Sequence, residues 1–225
     1  MSSTFSGSTV VIRVESSTLD GPTTFFSDLA FMLERSVRPV VVAEQPGAAK
    51  HLARRLNQLG SAGVGLSGAD AGLILAGADA AIRAVNPALL HTLFANGYLP
   101  LIDPEGLTLS AEGIRLPADD VARAVGAALE AKRILFFHAG GGLADPETSE
   151  VIADLTPAEA LTLADSGALD PELASTARAA ARSVRAGVEA AEILDGRITH
   201  AAIVELLTET HLGTRVIGSV RIARA

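Results

Sequence analysis

Residues 185–218 read RAGVEAAEILDGRITHAAIVELLTETHLGTRVIG, and this stretch decides the fold. A short apolar run ends at the turn pair Asp195-Gly196, a helical segment follows, and a glycine loop at Gly213 leads into a closing strand. Strand, helix and strand in so short a span is the repeating unit of an α/β protein.

The same alternation extends toward the N-terminus. Thr9 to Val14 is a continuous apolar run broken only by Arg13, as a buried parallel strand requires. Residues 28–35 predict a helix, 39–43 a second strand, and 48–59 a second helix stopped by Gly60. Hairpin-like stretches around Gly77 and from Gly106 to Gly113 interrupt the pattern. The Ala and Arg enrichment of residues 174–185 is helix-former usage. The expected fold is α/β: a mainly parallel central sheet covered on both faces, with Val11, Val41, Leu66, Leu101, Leu135 and Ile193 in its core. No linker-like stretch breaks the periodicity. One domain over residues 1–225 is expected, with lobes near 1–130 and 131–225.

Composition narrows the partners. A net charge of -8 over 225 residues argues against a nucleic-acid surface, which depends on clustered Lys and Arg. The start, MSSTFSGSTVVIRVE, has no basic region followed by an apolar one, and no long uncharged apolar run occurs. A soluble cytoplasmic protein with no membrane partner is expected. Absence of cysteine excludes disulfides and thiolate chemistry. His51, His91, His138, His200 and His211 show no ligand spacing, so no metal site is assigned. Gly63 to Gly68 fits G-x-G-x-x-G but follows a helix and lies in a strand pattern, the wrong order for a dinucleotide turn. Neither Lys50 nor Lys132 sits in a Walker A motif.

Four blocks together point to a family. They are the 185–218 stretch; VGLSGADAGLI at 64–74; NGYLPLI at 96–102; and AKRILFF at 131–137, followed by the helix-opening LTPAE at 155–159. In order and spacing the chain resembles the acetylglutamate kinases of the amino acid kinase family. The resemblance implies a three-layer αβα sandwich and ATP-dependent phosphorylation of the side-chain carboxylate of N-acetyl-L-glutamate, in arginine biosynthesis. ATP with magnesium, an acyl amino acid substrate and a homodimer are implied with it, the apolar segment 48–59 being a further motive for the dimer.

The positions where that family places its chemistry are altered. Its first lysine corresponds to Arg13, and the glycines after that strand to Glu15 and Ser16. Two readings of Arg13 and Glu15 stand: a cation kept at a phosphate site, or a strand end with a solvated Glu and a locally paired Arg. The second-strand glycine loop corresponds to Ala43-Glu44-Gln45-Pro46, where Pro46-Gly47 is expected to turn the chain into its helix. The insertion carrying the substrate arginine is absent. The family's N-A-D becomes Pro117-Ala118-Asp119, so Asp119 either orients the site cations or caps a helix. Phe137 and His138 replace a T-D pair. The run Gly140-Gly141-Gly142 either presents N–H groups to nucleotide phosphates or forms a turn. The second lysine aligns with Thr176, which carries no charge. The resemblance therefore leaves enzyme status open, the alternative being a catalytically impaired member acting as a binding or regulatory subunit.

Overall fold

The computed structural model describes residues 5–20 and 23–218; residues 1–4, with which the N-terminal reading begins, lie outside them, as do 21–22 and 219–225. The first half of the chain forms β1 (Thr9–Val14), α1 (Ser16–Leu19), α2 (Phe25–Glu34), β2 (Arg38–Ala43), α3 (Ala48–Gln58) and β3 (Gly63–Leu66). Next come β4 (Ile74–Ala76), β5 (Ile82–Val85), α4 (Ala88–Ala95), β6 (Leu99–Ile102), β7 (Glu105–Leu107), β8 (Gly113–Arg115) and α5 (Ala118–Ala128). The remainder forms β9 (Arg133–Phe137), β10 (Asp154–Leu155), α6 (Pro157–Asp165), α7 (Pro171–Arg185), β11 (Ala190–Leu194), α8 (Ala201–Leu207) and β12 (Gly213–Ile217).

Among the described residues, eight strands make one sheet in the order β10-β12-β11-β9-β1-β2-β6-β3. Its neighbouring pairs are parallel except β11 with β12. The six residues expected in the core all lie in this sheet and are buried. Successive side chains of a strand point to opposite faces, and the packing follows that period of two. Val10, Ile12 and Val14 join a cluster with α2, α3 and α8, whereas Val11 joins another with α5, α6 and α7. This is the three-layer αβα sandwich. The expected hairpins form a second sheet, ordered β5-β4-β7-β8.

Local sequence explains the helices that matter for the site. Asp170 accepts N–H bonds from Glu172 and Leu173, and Pro171 follows, so α7 begins three residues before the alanine-rich segment. Thr156 and Glu159 cap each other reciprocally at the start of α6. Gly47, at φ 84°, turns the chain into α3. The apolar face of α3, formed by Ala49, Leu52, Ala53 and Leu56, is spent on this chain's own core, leaving Lys50, His51, Arg54 and Arg55 outward. That removes the apolar segment as a motive for a homodimer. At Gly65 of β3 a Cβ would lie 2.8 Å from the backbone of Lys50 in α3. Close helix packing, not a nucleotide, therefore accounts for glycine there.

Candidate functional site

In open parallel sheets, ligands bind beyond the carboxyl ends of the strands, where the chain winds in opposite directions from adjacent strands. Here that crevice lies outside β1 and β9, since β1 pairs with β2 on one side and β9 on the other. The residues that follow β1, β2, β6, β9 and β11 are Glu15, Glu44, Asp103, His138 and Asp195.

Arg13 lies two residues after Val11 on the same face of β1 and so points into the α5–α7 layer. Its Nη1 donates to Glu15 Oε1 at 2.9 Å and to the Phe137 carbonyl at 2.8 Å. Its Nε lies 2.7 Å from Asp119 Oδ1, an ion pair in which the N–H is not aimed at the oxygen. The other oxygen of Asp119 accepts the Thr176 hydroxyl at 2.7 Å. The two positions at which the resemblance expects lysines, Arg13 and Thr176, thus meet on one carboxylate.

Two expectations are corrected. Asp119 is not the cap of α5: Pro117 holds that position, and Asp119 lies inside the first turn with its side chain directed to Arg13 and Thr176. Glu15 is not a solvated strand end, being 7% exposed. Its Oε2 accepts the Ala139 N–H at 2.9 Å and the Ser17 hydroxyl at 3.2 Å, and His138 Nε2 stands 3.7 Å from Oε1. Burial alone would raise its pKa. The hydrogen bonds from Arg13 and Ala139 and the charge of Arg13 outweigh burial and hold the carboxyl below its usual value. At Asp119 burial wins over Arg13 and Thr176, and its pKa is raised.

The same pattern repeats around the edge. Glu44 accepts the N–H and hydroxyl of Ser16 at 2.9 and 2.7 Å. Asp103 accepts the Ala49 N–H at 2.8 Å, in the first turn of α3, and Asp195 accepts the Arg197 N–H at 2.9 Å. In the glycine loop, the Gly140 N–H goes to His138 Nδ1 at 2.9 Å and the Gly141 N–H to the His138 carbonyl at 2.9 Å, with Gly141 at φ 70°. Gly142 is packed against Val151 and Thr214. Arg197 clamps the loop from outside, donating to the Ala139 carbonyl at 2.8 Å. Sequence reasoning missed Arg197, though its place directly after the Asp-Gly turn marked it as a rim residue.

Among the described residues, a cleft of ≈ 190 Å³ at this edge is lined by Arg13, Glu44, Asp119, Glu172 and Ser175, with Pro117 and Ala118. A strongly raised acid lies elsewhere in the sheet. Glu192 of β11, 3% exposed, has one oxygen 3.1 Å from Arg133 Nε and the other without a hydrogen-bond partner. Burial, against the pull of Arg133, pushes it up to about 8.

Known proteins place this architecture. The acetylglutamate kinase of Synechococcus sp. (strain WH7803) is 36% identical over 181 residues, covering 75% of this chain and 61% of that protein. That of Methanothrix thermoacetophila is 34% identical over 174 residues, covering 70% and 60%. The chain spans about three fifths of the length of these curated relatives. Among solved structures, N-acetylglutamate synthase from Neisseria gonorrhoeae, complexed with coenzyme A and L-arginine, superposes with a TM-score of 0.80 at 17% identity, covering 96% of this chain and 62% of that one. Giardia carbamate kinase gives 0.68 at 12% identity, covering 95% of this chain and 100% of that one. At such identities the likeness is one of fold. The sequence profile of the amino acid kinase family matches residues 21–193, more than three quarters of the chain, and with the sandwich described above this shows that the chain belongs to the amino acid kinase family.

Proposed function

We propose that this chain is a family member without phosphoryl-transfer activity, retained as a binding or regulatory subunit. One observation carries the reading: four backbone donors at the rim, those of Ser16, Ala49, Ala139 and Gly140, are taken by the chain's own carboxylates and by His138. Phosphoryl transfer works by positioning and by positive charge on the transferring group. Arg13 is held by two carboxylates, and Thr176 is uncharged. Each lost donor of this kind costs about 2.7–4 kcal/mol, so two losses slow the reaction by about ten-thousandfold or more. ATP with magnesium does not fit the residues present: Glu15 and Glu44 stand where phosphate oxygens would approach, and a carboxylate about 4 Å away repels a phosphate oxygen by about 4 kcal/mol. No catalytic step is therefore assigned to Arg13, Asp119 or the Gly140–Gly142 loop.

The second reading is favoured by the 36% identity to an acetylglutamate kinase. It is ATP-dependent phosphorylation of N-acetyl-L-glutamate, with Arg13 replacing a lysine and the glycine loop meeting the nucleotide. A homodimer belongs to the same resemblance, and a cytoplasmic location is proposed alongside it. Among the described residues no helix is long and apolar enough to cross a membrane.

Hydroxylamine trapping of acyl phosphate, with purified protein, ATP, magnesium and N-acetyl-L-glutamate, decides between the readings. The expected result is no product at rates within the ordinary kinase range of about 1–100 per second. Turnover in that range, lost on Asp119→Asn, would establish the kinase.

A further inference from the structure

We propose that Glu15 is the resident occupant of an oxyanion site, its carboxylate filling a ring of donors suited to a tetrahedral oxyanion such as a phosphate group. The inference deepens the non-catalytic reading and rests on it, but it is read by binding rather than turnover.

The donors converge from separate parts of the chain. Arg13 comes from β1, the Ala139 amide from the loop after β9, and Ser17 from α1, while His138 Nε2 stands 3.7 Å away without a hydrogen bond. The carboxylate divides its oxygens between them: Oε1 takes the guanidinium, and Oε2 takes the amide and the hydroxyl. Arg197 adds charge, as its raised pKa reflects Glu15 after the larger effect of Asp195. A fixed guanidinium, a loop amide and a hydroxyl around one buried anion are the elements of an oxyanion receptor. An ordinary salt bridge would need only Arg13.

The arrangement has a consequence for the native chain. The Glu15–Ala139 bond joins residues 124 apart in sequence, across the crevice between β1 and β9. The crevice is closed by a covalently tethered anion at high effective concentration, against which a free phosphate must compete. The carboxylates of Asp119, Glu44 and Asp195 remain around the ring, so a site vacated by Glu15 binds phosphate modestly.

The test uses the full chain with inorganic phosphate as probe. The Ala139 amide resonance and the thermal midpoint are followed during phosphate titration of the wild type, Glu15→Ala and Glu15→Gln. In the wild type, millimolar phosphate should leave the Ala139 amide unmoved. In Glu15→Ala it should shift that resonance saturably, with affinity at least about tenfold above the wild type, the worth of one charge-assisted hydrogen bond. The thermal midpoint should then rise with phosphate in the variant alone. Adding Arg13→Ala should abolish the gain. Glu15→Gln keeps the side-chain volume while removing the charge, and should show the same gain at smaller size. It decides the matter should Glu15→Ala not fold. A folded variant whose Ala139 amide ignores phosphate, or a wild type that binds phosphate equally well, overturns the proposal. Hydroxamate formation by the wild type would instead overturn the non-catalytic reading, so the two failures are distinguishable.

Discussion

Glu192 shows how one buried acid couples the sheet to pH. Its folded pKa, about 8, lies above the ordinary carboxyl value of 4.5. The folded chain therefore keeps a proton that the unfolded chain releases. The stabilisation is fully present below about pH 4.5, declines as pH rises, and is lost on passing through about 8. That interval bounds the loss at about 5 kcal/mol. Urea unfolding from about pH 5 to pH 8 should show wild-type stability falling with pH, and Glu192→Gln should flatten the slope. An unchanged slope would remove Glu192 as its cause. At this scale the sequence was least legible. A Glu after a strand reads as solvated, and nothing near Glu15 announces that its amide partner is Ala139. Of the two readings of Asp119, the cap falls instead to Pro117, two residues earlier, which leaves the carboxylate for Arg13 and Thr176.

At the scale of elements the legibility reverses. β1 was read to its ends, and the hairpins near Gly77 and between Gly106 and Gly113 formed as expected, because period and turn residues are local signals. α2 begins at Phe25, earlier than the polar start at residue 28 suggested, since Phe25 and Phe26 bury against the sheet and tertiary packing extends the helix. Packing of α3 on β3 makes its own prediction. Gly65→Ala drives a Cβ into the Lys50 backbone and should cost about 1–3 kcal/mol. Gly113→Ala in β8, where a Cβ meets nothing within 4 Å, is the control and should be nearly neutral. Urea midpoints of the two variants check this; equal midpoints would show that α3 can retreat from the strand.

For the whole molecule, the two expected lobes share β1, which pairs with β2 of one and β9 of the other. Loss of either half exposes the central strand, so the lobes should unfold together in a single transition. The chain has one tyrosine and no tryptophan, so Tyr98 fluorescence reports on the first lobe alone, while far-ultraviolet circular dichroism reports on both. The two curves should coincide; separated midpoints would make the lobes independent. The fold was legible at this scale because four sequence blocks in the family's order and spacing fix topology. Competence of the crevice was not, since it depends on which carboxylate reaches which amide across the sheet.

A cleft that waits for its ligand ordinarily keeps its rim loops loose, and binding then bears the entropy of ordering them. In this chain the side chains of Glu15, Glu44 and Asp103 themselves hold the amides of Ala139, Ser16 and Ala49. The rim is ordered when the chain folds. Its rigidity thereby becomes a property of the folded state itself, and a partner that recognises this edge meets a finished shape rather than one it must first assemble.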